Sequence, residues 1–105
     1  MRTVVGVLRG WPSSEYEISL KSGASVLEHL NKEIYEPRDV FIDRGGAWHL
    51  HGIPVPPERA LRSLDVVFNA LHGAYGEDGR VQRLLDILGV PYTGSGASAS
   101  ILAFN

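Results

Sequence analysis

The chain has 105 residues, 44% of them hydrophobic, with no cysteine and a formal net charge of −2. That length suits one domain, not two, with a modest core, and the hydrophobic fraction excludes a disordered chain. Scattered basic residues exclude a nucleic-acid footprint, the lack of cysteine excludes disulfide and thiolate chemistry, and no run reaches the ~18 apolar residues of a membrane span.

Met1 to Arg9 is too short and too interrupted for a signal peptide, so a cytoplasmic location is expected. Thr3 to Leu8 is apolar on both parities, the pattern of a strand buried on both faces of a parallel sheet. Gly10-Trp11-Pro12-Ser13-Ser14 breaks it. Ser14 with Glu17 three residues on fits a capping box, which predicts a helix from near Ser14 to Asn31. Ile18, Leu20, Ala24, Leu27 and Leu30 form its apolar stripe. Gly23 inside it costs about 1 kcal/mol relative to alanine, which predicts close packing of helix on sheet.

After Tyr35-Glu36-Pro37, Val40-Phe41-Ile42 reads as a second strand. Asp43-Arg44-Gly45-Gly46 reads as a turn and Ala47-Trp48-His49-Leu50-His51 as a return strand, together a hairpin. Pro54, Pro56 and Pro57 are expected to prevent regular pairing afterwards, with Pro57 opening one turn of helix. Residues 65–71 form another buried strand. A helix over 80–88 follows, ended by Gly89, then a short extended piece from Val90 to Thr93. Strands alternating with helices predict a Rossmann-like, three-layer α/β domain with a mostly parallel sheet. Residues 98–105 start a helical pattern without a stop signal, so a piece of something longer is expected.

Between the 65–71 strand and the 80–88 helix lies His72-Gly73-Ala74-Tyr75-Gly76-Glu77-Asp78-Gly79. A polar glycine loop after a strand is where open α/β sheets hold ligands. Glu77 and Asp78 read as helix-start acids, Asp78 as the N-cap, ahead of a catalytic or metal role. His72 could steady a carboxylate or satisfy a loop carbonyl. Glu15 could receive an ammonium group or simply favour a helix start. Gly94-Ser95-Gly96-Ala97-Ser98-Ala99 fits a dinucleotide fingerprint, but the strand before it is short and proline-broken, and no acidic residue follows at the required distance. His49 and His51 are expected on an exposed hairpin face, because two ligands do not make a zinc site.

The run His72-Gly73-x-x-Gly76-Glu77-Asp78-Gly79-x-Val81-Gln82 resembles the amino-terminal signature of D-alanine–D-alanine ligases. Residues 13–23 and the Gly89-Val90-Pro91-Tyr92-Thr93-Gly94-Ser95-Gly96 segment resemble two further stretches of that family, in its order and spacing. The chain departs from the family where Arg83 replaces a small residue, and where Gly10-Trp11 replaces two glycines, so that Trp11 could narrow the site. No motif covers residues 32–64.

The resemblance implies the pre-ATP-grasp fold and a reaction that phosphorylates one D-alanine with ATP before a second D-alanine attacks. It implies that Glu15 receives the first D-alanine's ammonium group and that His72, with Gly73, lies at its carboxylate. Ile18 would offer an apolar wall to the substrate methyl, or else pack in the core. The full-length enzyme would require ATP and Mg²⁺, act in peptidoglycan synthesis and form a homodimer. Residues 1–105 are read as its single substrate-positioning domain, without the ATP-grasp domains, binding no cofactor alone. A non-catalytic binding or dimerisation module is the rival reading.

Overall fold

Strand β1 (Thr3–Gly10) lies at the centre of the sheet, as its two-sided apolar pattern requires. The structure, a computed structural model, describes residues 1–71 and 80–93. Helix α1 (Tyr16–His29) leads from β1 to β2 (Tyr35–Ile42), which lies parallel to β1 with Thr3 opposite Tyr35 and Gly10 opposite Ile42. A tight turn sends the chain back as β3 (Trp48–Leu50), antiparallel to β2, and then as β4 (Ile53–Pro54) at the sheet edge. Helix α2 (Pro57–Leu61) precedes β5 (Val66–Asn69), which runs parallel along the other side of β1. Helix α3 (Arg80–Leu88) and β6 (Tyr92–Thr93), parallel to β5, complete the order β4-β3-β2-β1-β5-β6. The four longer-range partners β2, β1, β5 and β6 are parallel and the hairpin is antiparallel, so the expected mostly parallel α/β sheet is what forms.

Alternation along β1 divides the core. Val5 and Val7 face α1, where they join Val26, Leu30, Phe68 and Ala70. Leu8 faces the other way and joins Val40, Ile42, Leu61, Val67, Val81 and Leu85 beneath α2 and α3. One sheet with helices on both faces gives the three layers.

Several local expectations need correction. The helix begins at Tyr16 with Glu15 as its N-cap residue and without a side-chain cap bond, so the Ser14–Glu17 capping box does not form. Instead the Ser13 hydroxyl accepts the Glu15 N–H at 3.2 Å. The buried face of α1 is Ser19, Gly23 and Val26, continued by Leu30, not the stripe through Ile18 and Ala24, both of which are exposed. β2 begins at Tyr35 and includes Pro37. Pro54 does pair, at the sheet edge, where a missing N–H is tolerated.

Two boundaries follow directly from backbone chemistry. Gly89 (φ +71°) ends α3 in a Schellman arrangement: its N–H donates to Asp86 C=O at 3.1 Å and the Val90 N–H to Leu85 C=O at 2.9 Å. Val90 and Leu85 are then both buried in the core under α3. In the β2–β3 turn, Asp43 Oδ1 accepts the N–H groups of Gly45 and Ala47, each at 2.9 Å, and Gly46 takes φ +89°.

Candidate functional site

β1 and β5 are paired neighbours, with Leu8 opposite Asn69, so both carboxyl ends open onto one edge of the sheet. That edge is where parallel α/β sheets present ligand-binding groups. From β1 the chain passes through Gly10 and Trp11 to Glu15. From β5 it passes through Ala70 and Leu71 toward position 72. His72 and Gly73 lie outside the described residues, as do Glu77, Asp78 and the whole Gly94–Ala99 stretch.

The turn after β1 is built on two left-handed residues, Gly10 (φ +101°) and Trp11 (φ +78°). A Cβ at Gly10 would stand 2.0 Å from Ile42 O, so no side chain fits there. The Trp11 N–H donates to the same Ile42 carbonyl at 2.8 Å, and its ring packs on the core beneath α2 and α3. The departure from a two-glycine turn therefore keeps the tight geometry and fills space with the indole.

Glu15 is half-buried at the start of α1, and no cap bond uses its carboxylate. Ile18, one turn on, is 54% exposed. Its core-packing alternative is thereby overturned, and an apolar side chain is left on the surface near the helix start. Tyr16 is held from the side: the Arg44 guanidinium sits 4.3 Å over its ring, and Phe41 meets it edge-on at 6.2 Å. Arg44 also lies 3.9 Å from the exposed Glu17 carboxylate. The β2–β3 turn thus braces the first turn of α1.

His49 and His51 do not share an exposed strand face. His49 is largely covered, its Nε2 3.0 Å from Asp43 Oδ2 and its ring 5.2 Å from that of Phe41. His51 lies beyond the end of β3 in a left-handed turn conformation (φ +50°). Among the described residues no three His, Asp or Glu side chains could jointly hold a metal ion. Shallow depressions lined by residues between Gly46 and Pro57, and between Leu85 and Tyr92, contain neither Glu15 nor Ile18.

Sequence reasoning missed the two buried polar side chains at this edge, Ser19 and Asn69, neither of which has any exposed surface. Asn69 Oδ1 accepts the Leu71 N–H at 3.0 Å, turning the chain as it leaves β5. The Ser19 hydroxyl accepts the Gly10 N–H at 2.9 Å and donates to Ala70 C=O at 2.7 Å. The spacing Ser19, Gly23, Val26, Leu30 is helical, but two of its members are not apolar, so a hydrophobic count passes over it.

Known proteins share this fold. The family described as D-ala D-ala ligase N-terminus matches residues 4–56 and 53–95. A D-alanine–D-alanine ligase of Geotalea uraniireducens is 48% identical over 101 residues, which are 96% of this chain and 30% of that protein. Among solved structures, the VanG D-Ala:D-Ser ligase from Enterococcus faecalis superposes with a TM-score of 0.76 at 26% identity, over 88% of this chain and 35% of that one. The D-alanine–D-alanine ligase from Bacillus anthracis complexed with ATP gives 0.68 at 31% identity, over 89% and 28%. The chain therefore spans about a third of the length of these relatives. With its mostly parallel sheet, its glycine turn after β1 and its match over residues 4–95, the chain belongs to the D-alanine–D-alanine ligase amino-terminal domain family.

Proposed function

We propose that this chain is the amino-acid-positioning domain of an ATP-dependent D-alanine–D-alanine ligase that makes the dipeptide for peptidoglycan. The observation that carries this reading is the family match across residues 4–95. Glu15 receives the ammonium group of the first D-alanine. A carboxylate not used as a helix cap is available for such a charge-assisted bond. Ile18 offers its exposed side chain to the substrate methyl. His72 and Gly73 hold the carboxylate end from the segment that follows β5 in sequence.

ATP is the phosphoryl donor, in keeping with the Bacillus anthracis relative solved with ATP. Mg²⁺ accompanies it. None of the described residues fits a magnesium site, so no step of the phosphate chemistry is assigned to them. That chemistry belongs to the remaining two-thirds of a full-length enzyme, which we place in the cytoplasm as a homodimer. The second amino acid is D-alanine or a relative of it, chosen by residues outside this chain, and the relative named as a D-Ala:D-Ser ligase is an example of such a choice.

The test is steady-state ADP release by the full-length protein with D-alanine varied at saturating ATP. D-Alanine-dependent turnover is expected, and its absence overturns the reading. Glu15→Gln removes the charge facing the ammonium group while keeping the side chain's shape. It is expected to weaken first-site binding by about 1.5–3 kcal/mol, roughly ten- to a hundred-fold in KM. An unchanged KM and turnover would show that Glu15 serves only the helix start.

A further inference from the structure

We infer that Ser19 is a positioning residue for the first amino-acid subsite: its buried hydroxyl replaces one rung of the β1–β5 ladder, wedges the two strands apart at their carboxyl ends and fixes the first turn of α1 to that opening. This rests on the proposed function, because it specifies how that site is held.

The ladder itself shows the substitution. In parallel pairing, successive bonds link alternate residues of one strand to its neighbour. The Ala70 N–H donates to Leu8 C=O at 2.9 Å. The next regular bond would run from the Gly10 N–H directly to Ala70 C=O. Instead the Gly10 N–H donates to Ser19 Oγ at 2.9 Å, and the Ser19 hydroxyl donates onward to Ala70 C=O at 2.7 Å. One hydroxyl thus stands between two backbone groups that would otherwise pair, and satisfies both while wholly buried.

Ser19 also connects this wedge to the candidate binding groups. Its N–H donates to Glu15 C=O at 2.9 Å, and it directly follows Ile18. On the other side, Ala70 directly follows the end of β5. Any shift of the hydroxyl therefore moves the Glu15 turn relative to the end of β5. Loss of the hydroxyl leaves two outcomes: the strands close to restore the direct bond, or two buried polar groups go unpaired. Each alters the separation on which a small zwitterion bound between the two segments depends.

The experiment uses the full-length enzyme and compares Ser19→Ala with Val26→Ala. Val26 is buried on the same helix against the same sheet face, away from the strand ends. Thermal midpoints and the KM values for first-site D-alanine and for ATP are measured for each. Ser19→Ala is expected to raise the D-alanine KM about ten- to a hundred-fold, with ATP KM unchanged to within about two-fold. Val26→Ala is expected to lower the thermal midpoint without moving either KM. Equal D-alanine KM values in the two variants would overturn the role. Should Ser19→Ala fail to fold, Ser19→Cys keeps the volume with a far weaker donor and decides the question by the same KM comparison. Wild-type enzyme without D-alanine-dependent turnover would remove the function and this role together. Wild-type turnover with an unmoved KM in the Ser19 variant removes only the role.

Discussion

Trp11 holds a backbone conformation that its side chain disfavours. At φ +78° its Cβ crowds the following carbonyl, a strain that glycine escapes. The indole offsets this by packing on the core beneath α2 and α3. The two contributions separate on substitution. Trp11→Ala and Trp11→Gly both lose the ring, but only glycine relaxes the backbone. Glycine is therefore expected to be the more stable replacement by roughly 1 kcal/mol, against the usual preference for alanine. Urea denaturation midpoints of the two variants measure the difference, and equal or inverted stability would mean that the turn carries no such strain.

Among the elements, α1 depends on how closely it can approach β1. An added Cβ at Gly23 would stand 2.6 Å from Arg9 Cβ and 2.7 Å from Arg9 Cδ. The flexible Cδ can move, but Cβ is fixed to the strand. Arg9 is further pinned by a two-pronged bond to Asp39, 2.8 Å on each arm, and by a 3.2 Å bond to Leu20 C=O. Gly23→Ala therefore gains about 1 kcal/mol of helix propensity but overpacks the interface by about 1–3 kcal/mol, and a net fall in thermal midpoint is expected. The cost of Gly23 was legible in the sequence, whereas its packing cause, expected there, is visible only in the approach to Arg9. The face of α1 was not, because Ser19 is buried to complete a strand ladder, a purpose no hydrophobic periodicity encodes. The capping box failed because Glu15, not Ser14, holds the N-cap position, its N–H bonded to the Ser13 hydroxyl.

The β2–β3 turn carries a pH dependence. The bond from the His49 ring first, then those from the Ala47 and Gly45 N–H groups, hold the Asp43 carboxyl below the usual carboxylate range. A depressed folded-state pKa means that the turn adds stability above the unfolded carboxyl's pKa of about 3.9 and loses it as pH falls through the lower folded value. Glu36, depressed by its bond to Arg38, adds to the same acid window. Thermal midpoints should therefore drop below about pH 4. Asp43→Asn should flatten that drop without abolishing it. An acid slope identical to that of wild type would show that the turn's bonds do not distinguish the ionised carboxylate.

At the scale of the whole molecule, the sheet was legible wherever local chemistry dictated it. The two-sided apolar run marked β1 as a strand buried on both faces, Asp43 to Gly46 announced the hairpin, and Gly89 closed α3. Parts that depend on distant partners were not legible. β2 extends back to Tyr35 because β1 offers an eight-residue parallel edge there, and Pro54 pairs because β4 is the edge strand, where a missing N–H is tolerated. Within the candidate site, Glu15 and Ile18 were proposed from the sequence, while Ser19 and Asn69 came to light only through their burial and the backbone groups they bond. The same division argues for a last prediction. Both faces of β1 are covered by helices from within the chain, with separate buried clusters on each side among the described residues, the kind of core with which a domain folds alone. Their match is nevertheless confined to about a third of the ligases' length, and no described cluster fits a metal. The purified chain is therefore expected to give α/β circular dichroism and a cooperative melt, yet no ADP release on addition of D-alanine and ATP. Turnover in a clean preparation would mean that the phosphate chemistry does not reside in the remainder of the enzyme and would undo the division of labour proposed for this domain.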